Sequence, residues 1–278
     1  MAKAERELRE TPEVRKKALE DLRALLENEK NMYFADRDEI LIRYLRPVKF
    51  YPESALALMK RIAEFKQKHA SVVKDLMPVM MEDVMLNNKG INVLVDRDQD
   101  GRRILVAQVG KNWDTSKVSN VQVFQLFYLI HLAALVEPAT QVNGVVVIMD
   151  FEGLGLKQIK ELTPNFSLRL LSFIQDAMPL RLKEVHIVKQ PRIFSMVWKI
   201  FKPLIKEKLD KRLHFHGNDM SSLHKFISPS CLPEDYDGKL PKIDYSAREW
   251  YPVLRSLDST MEEYNKFGFT APPAAAAR

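Results

Sequence analysis

The sequence predicts an α/β protein in which a bundle of short helices precedes a mixed sheet covered by helices. Three observations carry this. Val145–Met149 is an unbroken apolar run, mostly β-branched, that follows Gly144 and ends at Asp150. Such a run reads as a central strand covered on both faces. Other strand-like runs, Ile91–Val95, Arg103–Val109, Val185–Val188 and Leu213–His216, stand before and after it, with helix-period segments between. Up to about residue 75, apolar residues recur at helical spacing instead. The expected division is a helical unit over 1–75, the sheet-bearing unit over 76–245, and a C-terminal extension and tail over 246–278.

Each element has a local reason. Thr11-Pro12-Glu13 supplies a hydroxyl cap, a proline at the first helical position and an acid near the positive dipole end. Val14, Leu19, Leu22, Leu25 and Leu26 then form an apolar stripe. Ile40, Leu41, Tyr44 and Leu45 make a second helical face stopped by Pro47, and Pro52 opens a third helix carrying Ala55, Leu58, Met59, Ile62 and Phe65. Val79 to Leu86 is a fourth helical patch. Asp96-Arg-Asp-Gln-Asp-Gly101 reads as a hairpin turn between two strands; it lacks the spacing and terminal glutamate of a calcium loop. Phe124, Phe127, Tyr128, His131, Leu132 and Leu135 repeat at helical spacing before the central strand. Thr163-Pro164 opens the helix after it, ended by Pro179. A helical segment is expected near Val253–Tyr264, and disorder in the final Ala-Pro-Pro-Ala-Ala-Ala-Ala-Arg.

With 46% hydrophobic and 29% charged residues over 278 positions, the chain can build a real core. The longest mainly apolar stretch, Val123–Val136, contains Gln125 and His131 and is too short to span a bilayer. A single cysteine, Cys231, and no apolar run in the first residues predict a cytoplasmic, reducing compartment. The net charge of +6 is concentrated: residues 181–212 hold ten Lys/Arg against Glu184, Glu207 and Asp210, a surplus of seven. An anionic partner is therefore expected at that segment.

Candidate chemistry is sparse. Gly153-x-Gly155 follows a strand without the third glycine of a dinucleotide loop or the Gly-Lys-Ser/Thr of a phosphate loop. His214 and His216 share one side of a strand, but no further ligand falls at metal spacing, so no metal is expected. Asp150 and Glu152 end the central strand with no nucleophile-and-base pattern beside them. They read as structural carboxylates, and no catalytic residue is assigned. His131 lies on an apolar helix face, either as a satisfied core residue or facing a buried ligand. In 189–212, Ile193, Phe194, Val197, Trp198, Phe201, Leu204 and Ile205 form a broad apolar face opposite Lys199, Lys202 and Lys206, with Pro203 set to break the helix. A basic amphipathic helix either lies at a membrane surface or packs on the sheet; the charge surplus favours the membrane. Its aromatics sit apart from the lysines, which disfavours nucleic acid.

Taken in order, Ile40-Leu-Ile-Arg-Tyr-Leu-Arg46 with Phe50, Asn143-Gly-Val-Val-Val-Ile-Met-Asp-Phe-Glu-Gly153, Asp176-Ala-Met-Pro-Leu-Arg181, Val185-His-Ile-Val188 with Pro191, and Leu213-His-Phe-His-Gly-Asn218 resemble the CRAL-TRIO lipid-transfer family. The resemblance is closest to the alpha-tocopherol transfer protein branch and covers about residues 10 to 245. It implies a helical N-terminal domain beside an α/β lipid-binding domain, with a cavity for one hydrophobic ligand closed by a mobile lid helix around 190–205. No cofactor is implied. Expected cavity residues are Phe124, Phe127 and His131 before the central strand, Ile148 on it, Leu162, Phe173, Met178 and Leu180 after it, and Ile193, Phe194 and Val197 on the lid. The branch also binds phosphatidylinositol phosphates, which promotes release; the matching basic positions are Arg181, Lys208 and Arg212, with Lys183 added.

This chain departs from the branch at Val48, where a further arginine stands, and at Phe127 and His131, which replace two serines. Retinoids, carotenoids, sterols and other isoprenoids therefore stand beside tocopherol as candidate ligands. The expected partners are thus a hydrophobic small molecule and a phosphoinositide-containing membrane. The alternatives are a phosphatidylinositol-sensing adaptor and, from another class, a hydrolase using Asp150 or the His214/His216 pair.

Overall fold

The structure is a computed structural model describing residues 2–87, 90–243 and 247–270. The first long helix, Pro12–Glu27, is capped by the Thr11 hydroxyl, which accepts from Val14 N at 3.2 Å, and it buries Ala18, Leu19 and Leu22. Helix Asp38–Leu45 runs into the short 3-10 turn Arg46–Val48 that contains Pro47. Lys49 and Phe50, at φ 57° and 59°, then reverse the chain into helix Pro52–Lys68.

These helices share a core with the sheet-bearing part of the chain and its C-terminal extension: Leu22, Tyr44 and Met59 belong to the same hydrophobic cluster as Phe124, Leu171 and Met261. Strand β1 (Met32–Tyr33) pairs antiparallel with β7 (Gly268–Phe269), so the C-terminal extension returns to the first helices. The expected edge at 245/246 and the expected disordered tail fall outside the described residues.

The five-stranded sheet has the order β2 (Ile91–Arg97), β3 (Arg103–Gln108), β4 (Val145–Asp150), β5 (Leu182–Val188), β6 (Leu213–Gly217). β2 runs antiparallel to β3 and the other pairs are parallel, a mixed sheet with β4 at its centre. Gly144 makes the entry to β4 possible: at φ 86° a Cβ would stand 2.3 Å from the Arg181 carbonyl oxygen, which accepts from Val145 N. The turn between β2 and β3 is organised by buried Asp98, which accepts from Asp100 N and Arg102 N and pairs with the Arg102 guanidinium.

Register sets which residues face which layer. Val93, Leu105, Val147, Val185 and Leu213 are successive cross-strand partners and form one row. The adjoining row is Asn92, Val106, Ile148, His186 and His214. With side chains alternating along each strand, these rows serve opposite faces. Val146 and Ile148, fully buried, pack with Ile104, Val106, Val188, Leu223 and Tyr236 on the outer face.

The inner face is covered by helix Asn120–Val136, started by a Ser119/Gln122 capping box, and by Pro164–Ser172, capped by Thr163. The latter widens into a π turn over Phe173–Ala177. Helix Phe194–Phe201 crosses the same face and breaks into the 3-10 turn Lys202–Leu204 at Pro203, as the proline predicts. Among the described residues, no helix is long and apolar enough to cross a membrane.

Candidate ligand cavity and basic face

Between the inner face of the sheet and its covering helices lies a cavity of about 1080 Å³. Its floor includes the whole row Val93, Leu105, Val147, Val185 and Leu213, so it crosses all five strands, about 19 Å at the usual strand spacing. Phe124, Phe127 and His131 descend from helix Asn120–Val136, and Leu162, Met178 and Leu180 come from the segments around Pro164–Ser172. Phe194, Val197, Trp198 and Phe201, spaced i, i+3, i+4, i+7, present one stripe of the lid helix. Trp250, Leu254 and Leu257 of the returning C-terminal segment complete the wall.

Three expected cavity residues stand elsewhere. Ile148 is on the packed outer face, because the strand alternates and its neighbours Val147 and Met149 take the inner one. Phe173 opens the π turn; Leu170, Ile174 and Met178 keep the cavity flank, and Phe173 falls behind it. There its ring meets Phe65 at 5.2 Å and stands edge-on to Phe127 (5.9 Å) and His131 (4.9 Å), so it backs the wall. Ile193 precedes the lid helix, about a quarter turn off the stripe begun by Phe194. The residues that sequence reasoning missed have two origins. Trp198 and Phe201 were legible from the lid's periodicity, whereas Trp250 and Leu254 reach the cavity only because the C-terminal segment folds back over it.

The cavity is apolar apart from a few groups. His131 is buried, its ring nitrogens make no well-formed hydrogen bond and only approach the Tyr128 backbone, and burial pushes its pKa down to about 3, so the imidazole is neutral. Where β2 bulges away from β3, the Arg103 guanidinium holds the Leu94 and Val95 carbonyls and pairs with Glu137 at 2.6 Å.

The lid is held by both kinds of contact. Phe194 packs on Phe151 at 4.7 Å between centroids, and Trp198 stands edge-on to Phe215 at 4.9 Å. From the π turn, Gln175 donates to Leu204 O at 3.1 Å and accepts from Lys206 N at 2.7 Å, while Asp176 pairs with Lys206 Nζ at 2.6 Å.

The basic residues gather where β5 begins. Arg181 and Lys183 both reach Glu7, at 2.9 and 3.2 Å. Arg212 donates to the Leu182 carbonyl. Burial first, and then the neighbouring Arg181 charge, lower the pKa values of Lys183 and Arg212, the signature of crowded cations. Lys208 lies one turn of chain before Arg212, exposed to solvent. Val48 packs partly buried against the core, and nearby Arg46 is held by both oxygens of Glu10 (2.9 and 2.7 Å) and by Gln141.

The remaining candidates are structurally engaged. Asp150 accepts from Tyr236 OH (3.2 Å), Gln108 (3.4 Å) and Glu152 N (2.8 Å), and lies 3.6 Å from Lys189. His214 stacks on His186, whose Nδ1 meets His216 Nε2 at 3.0 Å, and His216 Nδ1 meets Ser222 Oγ at 2.6 Å. Among the described residues, no group of three or more His, Cys, Asp or Glu could hold a metal ion.

Comparison with known proteins fits this arrangement. The family model described as the CRAL/TRIO domain matches residues 87–238, which span the whole sheet and the lid. The chain belongs to the CRAL/TRIO family. This is a family of lipid-binding and lipid-transfer proteins. The CRAL/TRIO chain is 31% identical to the alpha-tocopherol transfer protein-like protein of Homo sapiens over 266 residues, 95% of this chain and 77% of that one. It is 30% identical to Clavesin-2 of Mus musculus over 277 residues, 98% and 83% of the two chains. The solved structure of Sfh5 superposes with a TM-score of 0.49 at 12% identity, covering 91% of this chain and 99% of that one.

Proposed function

We propose that this CRAL/TRIO protein is an intracellular carrier. It binds one hydrophobic ligand, tocopherol-like or another isoprenoid, in the cavity and releases it at phosphoinositide-containing membranes. The observation that carries this reading is an apolar cavity of about 1080 Å³ roofed by a basic amphipathic helix. Burial of the ligand's apolar surface supplies the affinity, at about 25 cal/mol per Å² before ordering costs. The neutral imidazole of His131, whose ring nitrogens make no well-formed hydrogen bond, is the natural contact for the ligand's one polar group, since a buried poorly met polar atom gains most from a partner. The name of the human relative, alpha-tocopherol transfer protein-like, supports the ligand class.

Release follows from the lid's two faces. Closed, Phe194 and Val197 point into the cavity; open at a bilayer, the same stripe finds an equally apolar medium. Met196 and Phe215, half-exposed beside the lid's lysines, would enter first. Arg181, Lys183, Lys208 and Arg212 would pair with lipid phosphates, each worth about 1 kcal/mol near an anionic surface. Such a carrier works in the cytoplasm, transiently at membranes, without catalysis.

Native mass spectrometry of the protein from its natural source tests the reading. A stoichiometric isoprenoid supports it; a stoichiometric phospholipid would replace it with a phosphatidylinositol-sensing adaptor. Docking is tested with Lys208→Glu/Arg212→Glu, which should lower binding to phosphoinositide vesicles at least about tenfold while the ligand still loads. Unchanged vesicle binding would move the docking face elsewhere.

A further inference from the structure

We propose that the N-terminal arm, residues 2–10, is a built-in competitor for the membrane's phosphate, with Glu7 standing where a lipid phosphate oxygen would stand on Arg181 and Lys183. The inference rests on the docking face proposed above and adds its regulation.

One carboxylate oxygen of Glu7 meets Arg181 Nη2 at 2.9 Å and Lys183 Nζ at 3.2 Å. A single anionic oxygen bridging a guanidinium and an ammonium is the arrangement a phosphate oxygen takes in such sites. The cations are fixed for it: Arg181 also donates to the Val142 carbonyl, and the Gly144 entry to β4 sets its backbone against that strand. The helix bearing Glu7, Ala2–Leu8, has seven residues and is too short to be stable by itself. It is held by contacts at its end instead. Leu8 is fully buried, Arg9 lies over the Tyr51 ring at 4.3 Å, and Glu10 grips Arg46 with both oxygens.

These anchors keep Glu7 at high effective concentration beside the two cations. Its pairs, by contrast, are only partly buried, with Glu7 about a quarter exposed (26%) and Lys183 30%, so they are weak enough to be exchanged. A phosphomonoester carries about twice the charge of a carboxylate at neutral pH and displaces it where such groups are dense. Away from such a membrane, the arm returns and Glu7 offsets one of the two positive charges of Arg181 and Lys183. Weak binding to merely acidic surfaces and firm binding to phosphoinositides both follow.

The test is vesicle co-sedimentation of the full chain, using phosphatidylcholine with and without phosphatidylinositol bisphosphate, for five proteins: wild type, Glu7→Gln, Glu5→Gln, Arg181→Gln/Lys183→Gln and Glu7→Gln/Arg181→Gln/Lys183→Gln. Glu5 is exposed on the same helix, and its replacement removes the same charge without touching the cations. Glu7→Gln should bind phosphoinositide vesicles about three- to tenfold more tightly, the worth of two partly exposed ion pairs, with Glu5→Gln at the wild-type level. Adding Glu7→Gln to Arg181→Gln/Lys183→Gln should bring no gain. Equal binding by Glu7→Gln and Glu5→Gln, with docking lost in Arg181→Gln/Lys183→Gln, would overturn the arm's role and leave the docking face standing. Wild-type binding by Arg181→Gln/Lys183→Gln would remove these two cations from the docking face and overturn the arm's role with them, while Lys208→Glu/Arg212→Glu decides whether the face stands. A gain for soluble inositol trisphosphate but not for vesicles would overturn the membrane as the partner.

Discussion

The two faces of the sheet are built from the same strands and, at the centre, from nearly the same residues. Val147 and Ile148 are neighbours on β4, yet one borders a cavity of about 1080 Å³ and the other touches protein on every side. The rows through them differ mainly at the ends. The inner row stays apolar from Val93 to Leu213, while the outer row ends in His186 and His214, which are engaged with His216 and Phe226. Hydrophobicity therefore does not say which face is hollow. The cover does: the outer face is filled by Leu223, Ile227, Leu232 and Tyr236, whereas the inner one is spanned by helices that stand off it. A hollow apolar face is a cost to the empty protein that a ligand offsets.

The largest effect should separate the faces directly. Ile148→Ala opens a new cavity in packed core and should cost about 2–5 kcal/mol, whereas Val147→Ala enlarges existing space and should cost less than about 1 kcal/mol. Urea unfolding of the ligand-free protein measures both. Equal losses would mean that the inner face is as tightly filled as the outer.

The cover itself comes next. Phe194, buried against Phe151, seals the inner face, so Phe194→Asp sets a carboxylate where an aromatic ring was. Loss of that burial corresponds to at least about tenfold faster escape of a fluorescent lipid from the cavity. An unchanged escape rate would show that the lid is not the seal.

The remaining test uses one histidine on each side. His131 borders the cavity and His186 lies behind the outer face, and burial pushes both pKa values down to about 3. An unfolded imidazole titrates near 6.5, so between about 6.5 and 3 the unfolded chain binds more protons. Stability is then lost as pH falls, by up to about 1.4 kcal/mol per pH unit for each histidine. His186→Phe should remove one such slope with or without ligand. A ligand hydrogen-bonded to His131 should change only the other. Unfolding midpoints measured between about pH 7 and 5 would reveal identical slopes in wild type and His186→Phe if His186 carries no penalty.

Much of this was legible in the chain. The unbroken run at Val145–Met149 marked β4 as central, Pro203 marked the break after the lid helix, and the surplus of seven positive charges marked the face on which Arg181, Lys183 and Arg212 meet. The site was harder to read at single positions. A run apolar at every residue carries no period-2 signal, so nothing in it assigned Ile148 to the outer face. Phe173 looked like one more cavity aromatic until the π turn rotated it toward Phe65. The acids that hold the basic face, Glu7 and Glu10, are ordinary members of a charged N-terminal stretch.

What the sequence determined by itself is therefore local or additive: where helices cap and break, which run lies between covered faces, and where net charge accumulates. Each depends on neighbours within a turn or on simple counting. What only the tertiary structure decided is which apolar face stays open, which residues from the far end of the chain close it, and which acid meets which base. Those outcomes depend on how elements distant in sequence fill or fail to fill shared volume, and close packing between them is a property of the folded whole.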